Sequence, residues 1–336
     1  MADRFDADYM GRAIEAADSA RLIAPPNPWV GAAVVANGQV FIGSTSQPGG
    51  NHAEINAIHE AGDLASGATL YSTLEPCCHH GRTGPCTTAI IEAGIRRVVV
   101  AITDPDPLVA GKGITELRDA GIDVEIGVGA ARVERQLRPY LHHRRTGRPF
   151  VVLKLAATLD GFTAAPDQSS QWITGPEARA DGHRLRAESD AILVGAGTIR
   201  ADDPALTVRD FAPIGIDGSE IQPMRVVLGT APIDARAQPL VEVSGELPDV
   251  LEELAERGVL QLMVEGGATV AGDFHRAGLV DRYVVYLAPS FFGGDDARPL
   301  FNGPGAPTIA DIWRGEIVDV RRLGNDVRIE VRPARD

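Results

Sequence analysis

The feature that most constrains the fold is a set of histidine and cysteine residues in the first third of the chain. His52 precedes Glu54 by two positions, Cys77 comes 25 residues after His52, and Cys86 comes nine residues after Cys77. Each of these two cysteines follows a proline. One imidazole and two thiolates can bind Zn²⁺ and leave a fourth position open for water. The chain must therefore bring three separate segments together at one point.

Glu54 has a role in such a site without being a ligand. Zinc-dependent nucleobase deaminases typically have a histidine, a glutamate two residues later, and two distant cysteines that follow prolines. In that chemistry zinc lowers the pKa of water toward ~7, and the glutamate carries a proton to the ring and to the departing ammonia. The alternative is a closed structural zinc site with a fourth ligand from Cys78, His79 or His80, which leaves Glu54 without a role.

Length and composition indicate two globular domains and a small substrate. The chain has 336 residues, 44% of them hydrophobic, and a net charge of −14 from 32 basic and 46 acidic residues. Polynucleotide-binding proteins usually carry a basic surface, so no nucleic-acid partner is expected.

The three cysteines lie within ten residues of one another, which favours metal binding in a reducing compartment over a disulfide framework. The N-terminus has no apolar signal core, and no apolar run is long enough to span a membrane. A cytoplasmic protein is therefore predicted.

The first half of the chain alternates helices and strands. Apolar spacing predicts a helix over 8–21, and the Asn37-Gly38 pair between apolar runs predicts a β-hairpin. A helix is expected to begin near Asn51 and to end at Gly62. Further strands are predicted over 68–72, 97–102 and 124–128, with helices over 87–93 and 113–120. This order indicates a layered α/β domain.

The segment 130–147 is helical and basic. It is interpreted as a solvated connector helix, with an electrostatic site as the alternative. The Gly147-Arg148-Pro149 sequence then marks a boundary, so the predicted domains are residues 1–147 and 148–336.

The second half is a further α/β series. Strands are predicted over 150–155, 191–195, 224–228, 260–264 and 282–287, and helices over 177–187, 249–257 and 269–277. The tail over 316–331 is predicted to be an antiparallel pair around Gly324-Asn325. Gly195-x-Gly197-Thr198 and Gly266-Gly267 are either ordinary strand-to-helix turns or phosphate-docking turns, and neither is a dinucleotide-binding G-x-G-x-x-G fingerprint.

The eight-residue spacer between Cys77 and Cys86 carries a specific resemblance. Together with Pro26-Asn27-Pro28 and the stretch 104–113, it resembles the deaminase domain of the bifunctional riboflavin-biosynthesis deaminase/reductase family. Stretches of the second half resemble the reductase domain of that family, among them Trp172-Ile173-Thr174-Gly175, His183-Arg184-Leu185-Arg186-Ala187 and Val264-Glu265-Gly266-Gly267. The resemblance implies a cytidine-deaminase-like three-layer domain followed by a dihydrofolate-reductase-like α/β domain.

The resemblance also implies cofactors, substrate and oligomeric state. Zn²⁺ would bind in the first domain and NADPH in the second. The substrate would be 2,5-diamino-6-ribosylamino-4(3H)-pyrimidinone 5′-phosphate, which loses an amino group before its ribosyl chain is reduced to ribityl. Family analogy suggests a homo-oligomer, either a dimer or a tetramer.

Site residues follow from the resemblance position by position. The zinc ligands would be His52, Cys77 and Cys86, with Glu54 as the catalytic residue. The NADPH contacts would be Ala156, Trp172, Thr198, Asp202, Gly267, Ala268, Thr269, Val270, Ala271, Gly272 and Asp273. The substrate contacts would be Asn27, His79 and Arg82 in the deaminase domain and Ser170, Leu206, Arg209 and Glu265 in the reductase domain. Without the resemblance, Trp172 would be assigned to core packing, and Asp202-Asp203 could be a metal pair.

Several positions depart from the family pattern. Thr45 stands where a histidine is usual, Asp106 where asparagine is usual, and Phe162 where arginine is usual. Asp106 places a carboxylate near an anionic substrate. The short loop between Leu240 and Leu247 suggests a trimmed β-α unit. The alternatives are a paralogue acting on a related pyrimidine or pterin-like nucleotide, a member with one activity only, a nucleic-acid deaminase, and a non-catalytic zinc-stabilised binding protein.

Overall fold

The chain forms two compact units in the computed structural model, Met1–Gly147 and Arg148–Asp336. The structure describes residues 4–81, 83–209, 211 and 221–334. Among the described residues, no helix combines the length and apolar character needed to cross a membrane.

The first unit is built from five strands and six helices in its described residues. In chain order these elements are α1 (Arg4–Ala20), β1 (Gly31–Ala36), β2 (Gln39–Ser44), α2 (Ala53–Ala61), a short 3-10 helix (Gly62–Ala65), β3 (Thr69–Leu74), α3 (Cys86–Glu92), β4 (Arg97–Ile102), α4 (Lys112–Asp119), β5 (Asp123–Ile126), α5 (Ala130–Gln136) and α6 (Arg138–Thr146). The predicted basic connector is thus two helices that meet at Leu137.

The five strands form one sheet in the order β2-β1-β3-β4-β5. β1 runs antiparallel to β2 and β3, whereas β3, β4 and β5 are parallel. The turn between β1 and β2 is formed by Asn37 and Gly38, both with positive φ, as the sequence predicts.

Two glycines bring helices close to opposite faces of this sheet. A Cβ added at Gly31 would lie 1.8 Å from the carbonyl oxygen of Ala13 in α1. A Cβ added at Gly43 would lie 2.1 Å from the carbonyl oxygen of Ala53 in α2. Gly43 pairs with Ala32, the neighbour of Gly31, and side chains alternate along a strand. The helices α1 and α2 therefore cover opposite faces, which gives three layers.

The second unit contains a larger mixed sheet. Its elements are β6 (Phe150–Thr158), β7 (Phe162–Ala164), α7 (Pro176–Ala187), β8 (Ala191–Gly195), α8 (Ala196–Asp202), β9 (Met224–Leu228), β10 (Val241–Val243), α9 (Leu247–Glu256), β11 (Gln261–Gly266), α10 (Ala268–Arg276), β12 (Arg282–Ala288), β13 (Arg298–Pro299), β14 (Gly315–Leu323) and β15 (Asp326–Pro333). Eight strands form the sheet in the order β10-β9-β8-β11-β6-β12-β15-β14.

The six strands from β10 to β12 are parallel, and β15 and β14 add an antiparallel pair at one edge. Side chains of β6 alternate between two cores: Leu153 packs with Phe274 of α10, and Val152 packs with Leu185 of α7. Helices therefore cover both faces, as expected for strands this apolar.

The structure also corrects the sequence analysis. The short elements α8, β7, β10 and β13 are not predicted from the sequence, because two to seven residues give too little periodicity to recognise. Near Leu240, where a trimmed β-α unit is expected, the structure has a strand of only three residues, β10, which pairs with β9 and is followed by α9.

Candidate active sites

Three elements of the first unit converge on one point. His52 is the residue that precedes α2, and Glu54 lies in the first turn of that helix. Cys77 lies in the loop that follows the buried strand β3, and Cys86 is the first residue of α3. The prolines before the two cysteines suit these positions, because proline cannot continue a strand ladder but is tolerated at a helix start.

The potential ligand atoms of His52, Cys77 and Cys86 all lie within 4.8 Å of one another. His52 Nδ1 is 3.2 Å from Cys86 Sγ and 3.4 Å from Cys77 Sγ. One imidazole and two sulfurs at this separation suit a tetrahedral Zn²⁺. The donor chemistry therefore fits the metal that the sequence predicts.

Glu54 is buried directly behind this group. Only 3% of the residue is exposed, and Oε2 lies 3.7 Å from Cys86 Sγ. Burial raises the pKa of Glu54, and the charge of His52 opposes this in part. A raised pKa suits a carboxyl group that must both accept and donate a proton near neutral pH.

The two thiols differ in acidity in a way that the sequence does not predict. Hydrogen bonding to Cys77, burial and the nearby Glu54 raise the pKa of Cys86, although Cys86 begins a helix. Hydrogen bonds from Cys86 and His52 lower the pKa of Cys77 to about 4, against the effect of burial. Of this coupled pair, Cys77 is the more readily ionised thiol, and binding of Zn²⁺ requires both cysteines as thiolates.

The residues considered for a fourth ligand lie elsewhere. Cys78 Sγ faces the carbonyl oxygen of Leu108 at 3.8 Å, and His80 is exposed. Among the described residues, the group able to bind a metal consists of His52, Cys77 and Cys86 alone. This arrangement is that of an open, catalytic zinc site rather than a closed structural one.

A cavity of about 340 Å³ opens onto the group and gives a small molecule access to it. Asn27, Thr45 and His79 line it together with His52 and Glu54. Asp104, Asp106 and Arg144 add acidic and basic groups to its lining.

A second cavity, of about 640 Å³, lies in the second unit between α7 and the sheet. Lys154, Arg186 and Glu265 line it, and Arg186 Nη2 donates to Glu265 Oε2 at 2.8 Å. Burial opposes ionisation of Glu265, but Arg186 and Lys154 outweigh it and hold the pKa of Glu265 at about 2. Burial lowers the pKa of Lys154, and Glu265 partly offsets this effect.

The carboxyl ends of the adjacent parallel strands β8 and β11 form a separate feature of the second unit. Thr198 Oγ1, in the first turn of α8, donates to the carbonyl oxygen of Gly266 at 3.2 Å. Gly267 has a φ of 20° and is exposed at the start of α10, so its backbone is open to a ligand. Ligands of open α/β sheets bind at this end of the strands, where helix N-termini favour phosphate groups.

Comparison with known proteins identifies both halves. Residues 3–102 match the cytidine and deoxycytidylate deaminase zinc-binding region, and residues 149–329 match the RibD C-terminal domain. The chain belongs to the RibD family of riboflavin biosynthesis proteins.

RibD relatives match the chain over nearly its whole length. RibD from Bacillus amyloliquefaciens is 40% identical over 97% of this chain and 95% of its own. RibD from Mycobacterium tuberculosis H37Rv is 42% identical over 96% of both chains.

Solved RibD structures agree with the fold. One form of Acinetobacter baumannii RibD superposes with a TM-score of 0.93 at 37% identity, covering 98% of this chain and 99% of that chain. The diaminohydroxyphosphoribosylaminopyrimidine deaminase/5-amino-6-(5-phosphoribosylamino)uracil reductase of Thermotoga maritima superposes with a TM-score of 0.88 at 32% identity and the same coverage. These findings confirm the predicted fold class. They also confirm that the chain is an enzyme with a zinc-binding deaminase region and a reductase domain, whose cofactors are Zn²⁺ and NADPH.

The structure of this RibD chain brings most of the predicted deaminase residues together. Asn27 and His79 line the first cavity with His52, Glu54 and Cys77. Arg82, predicted to lie near the substrate phosphate, is outside the described residues.

The predicted RibD reductase residues fall into two groups. Trp172, Arg209 and Glu265 line the second cavity, and Trp172 is 67% exposed, with the Arg179 guanidinium 4.6 Å from its ring centre. Core packing is thus excluded for Trp172. Thr198 and the start of the 267–273 segment lie instead at the ends of β8 and β11.

Other predicted positions are buried in the core or lie outside the linings of the two cavities. Leu206, Val270 and Ala271 are buried in the core. The segment 267–273 is mostly the start of α10 rather than a loop. Ala156 is half-buried on β6, and Asp202 is exposed at the end of α8. Ser170 is half-buried, and Ala268, Thr269, Gly272 and Asp273 lie in the first turns of α10.

Sequence reasoning missed several residues that line the cavities. Tyr140 and Arg144 come from α6, which was assigned as a connector, and Asp104 comes from the loop after β4. Lys154, His183 and Arg186 line the second cavity. A signal was present for the last three, because each lies within a stretch that resembles the reductase domain.

Proposed function

We propose that this enzyme removes an amino group from 2,5-diamino-6-ribosylamino-4(3H)-pyrimidinone 5′-phosphate and then reduces the ribosyl chain of the product to ribityl. Residues 1–147 would carry the deaminase site and residues 148–336 the reductase site. The observation that carries the proposal is the convergence of His52, Cys77 and Cys86 around a buried Glu54 at the base of a cavity. The Thermotoga maritima relative, named for both reactions, supports the same assignment.

In the deaminase half, His52, Cys77 and Cys86 would hold the zinc ion. Bound zinc supplies a Lewis acid that makes water nucleophilic at neutral pH. Glu54 takes one proton from water and delivers it to a ring nitrogen; it then takes the second proton from the hydroxyl formed on the ring carbon and delivers it to the amino group, which leaves as ammonia. Asn27 and His79 position the pyrimidine in the cavity they line.

In the reductase half, the substrate and NADPH would occupy neighbouring parts of the second unit. NADPH supplies the hydride that opens the sugar to the ribityl chain. Thr198 and the exposed start of α10 would hold its phosphates, and Trp172 would form a wall of the site. Arg209 and the Arg186–Glu265 pair would bind the polar groups of the substrate.

The direct test is to incubate the protein with the diaminopyrimidine phosphate, with and without NADPH. Ammonia release without NADPH, followed by NADPH oxidation that depends on the deaminated product, is the expected result. If neither signal appears, the assigned substrate is wrong.

Replacing Glu54 by Gln tests the deaminase mechanism. The variant should retain one zinc per chain, because Glu54 is not a ligand, and should lose ammonia release by about 10²-fold or more. Metal analysis and an ammonia assay on the same sample measure both effects. Glu92→Gln, at an exposed position of α3, is the control and should keep full activity. Persistent deamination by Glu54→Gln contradicts the assignment.

The protein is also proposed to be a homo-oligomer. The strand β14 forms an edge of the large sheet and exposes Ile317, Val318 and Val320 to 65%, 41% and 57%. A long edge strand with apolar side chains readily pairs with another chain. A second copy of this protein is the proposed partner.

A cytoplasmic location is proposed on chemical grounds. Cys77, Cys78 and Cys86 are free thiols, and the zinc site needs two of them reduced. Cell fractionation tests this proposal, and recovery of the enzyme from an oxidising compartment contradicts it.

A further inference from the structure

An ion pair lies in the wall of the deaminase cavity. Arg144, in the last turn of α6, places Nε 3.2 Å from Oδ2 of Asp106. Both residues line the cavity, and their side chains are 30% and 21% exposed. The pair is therefore partly shielded from water. A charge in such a place has a larger electrostatic effect than a charge at an open surface.

Both partners are held in position by other contacts. Asp106 Oδ1 accepts a hydrogen bond from the backbone N–H of Leu108 at 3.0 Å, and its own N–H donates to Asp104 at 2.9 Å. These bonds keep the Asp106 carboxylate at the cavity wall. The Arg144 guanidinium lies 5.1 Å from the ring centre of Tyr140, whose hydroxyl donates to Asp104. Arg144 thus belongs to one group of contacting side chains with Asp106, Asp104 and Tyr140.

In the described lining of the cavity, carboxyl groups outnumber the arginine and lysine side chains. Glu54, Glu75, Asp104 and Asp106 contribute four carboxyl groups to the lining. The carboxylate of Glu75 accepts hydrogen bonds from three backbone N–H groups, those of Asp104, Gly111 and Ile114. Within the described part of the lining, Arg144 is the one arginine or lysine.

We infer that Arg144 is a specificity-determining residue of the deaminase site, which allows a phosphorylated pyrimidine to bind by neutralising Asp106. The inference rests on the proposed deaminase function and deepens it. Without Arg144, the fixed carboxylate of Asp106 faces the phosphate as an uncompensated like charge. Removing Asp106 as well should relieve that repulsion, so the two residues act as a unit.

The test is a double-mutant cycle with Arg144→Met, Asp106→Asn and the double variant, all in the full-length zinc enzyme. Each is assayed for ammonia release from the diaminopyrimidine 5′-phosphate and from the dephosphorylated nucleoside. Arg144→Met should raise KM for the phosphate at least about tenfold and change kcat by less than about threefold. KM for the nucleoside should not change, and the double variant should recover KM for the phosphate to within about threefold of wild type. Arg145→Met, at an exposed neighbouring position, is the matched control.

Three results overturn the inference. They are an unchanged KM in Arg144→Met, an equal rise in KM for both substrates, and a double variant as impaired as Arg144→Met. An equal rise in KM for both substrates indicates a purely structural role of Arg144. A double variant as impaired as Arg144→Met indicates that Arg144 binds the phosphate directly rather than neutralising Asp106.

A wild-type enzyme that releases no ammonia contradicts the proposed function instead. The ion pair is then tested by calorimetric titration of the same phosphate. Arg144→Met should weaken binding at least about tenfold, the double variant should restore it, and equal affinities overturn the inference.

Discussion

At the scale of single residues, the surroundings of a side chain determine its chemistry more than its identity does. Glu54 and Glu265 are both buried glutamates, yet burial raises the pKa of Glu54, whereas Arg186 and Lys154 hold the pKa of Glu265 at about 2. The first suits a group that transfers protons, and the second a permanent anion. The assignment of Glu54 to catalysis and of Glu265 to substrate binding is consistent with this difference.

The Glu265–Arg186 pair should stabilise the protein only above acidic pH. The pKa of Glu265 is about 2 in the folded chain against an ordinary value of 4.5. Its contribution to the free energy of unfolding is therefore fully present above pH 4.5 and is lost as the pH falls toward 2. Glu265→Gln should lower the free energy of unfolding at pH 7 by about 2–3 kcal/mol, because it leaves Arg186 without its charge partner.

Urea denaturation at pH 7 and pH 3 measures this effect. The difference between wild type and Glu265→Gln should shrink at pH 3, because Glu265 is then protonated in the unfolded chain and must release that proton when the chain folds. Glu252→Gln, at an exposed position of α9, should show no difference at either pH. A difference for Glu265→Gln that does not depend on pH contradicts the explanation.

At the scale of elements, the position of α2 on the sheet determines the geometry of the zinc site. His52 and Glu54 lie at the start of α2, and Gly43 of β2 permits the helix to approach the strand closely. Cys77, in the loop after β3, and Cys86, the first residue of α3, complete the group. A small displacement of α2 therefore changes the distances between all three ligands.

Gly43→Ala should displace α2 and weaken zinc binding. The added Cβ would lie 2.1 Å from the carbonyl oxygen of Ala53 and 2.5 Å from the backbone nitrogen of Ala57, so the helix must move. We expect a loss of about 3 kcal/mol of stability, reduced zinc content and reduced ammonia release. Thermal denaturation and metal analysis measure these quantities.

Gly11→Ala in α1 is the matched control for the same substitution. A Cβ there would lie 4.0 Å from the Arg132 side chain, and alanine in a helix is more favourable than glycine by roughly 0.5–1 kcal/mol. Stability should be unchanged or slightly higher. Full zinc content and activity in Gly43→Ala would show that α2 does not depend on this close contact.

At the scale of the whole molecule, the chain has two compact units with a candidate site in each. Each unit buries its own sheet between helices. The exposed edge strand β14 is the proposed contact with a second copy of this chain.

Ile317→Lys should shift the protein from an oligomer to a monomer if β14 forms the interface. A charged side chain at an edge strand opposes pairing with another chain, because its desolvation is unfavourable. Size-exclusion chromatography with light scattering measures the mass of each variant. Ile233→Lys, where the isoleucine is 93% exposed in a loop, is the control and should not change the mass. A wild-type monomer, or an Ile317→Lys variant with unchanged oligomer mass, contradicts the proposal.

The sequence by itself determined the zinc chemistry and most of the secondary structure. His52, Glu54, Cys77 and Cys86 were recognisable because zinc chemistry requires particular atoms at particular spacings. The strands over 97–102, 191–195 and 224–228 were predicted with the bounds that the structure gives, because each is a short, mainly apolar run.

The tertiary structure decided which further residues meet. Arg144 and Asp106 are 38 positions apart, and Arg186 and Glu265 are 79 apart, so their pairing depends on how helices pack against the sheets. The difference in acidity between Cys77 and Cys86 also required the folded environment, because their mutual hydrogen bond and burial outweigh the effect of the helix start on Cys86. Local sequence patterns predict helices, strands and the types of metal ligand. The charge balance in a cavity depends on long-range contacts that no local pattern contains.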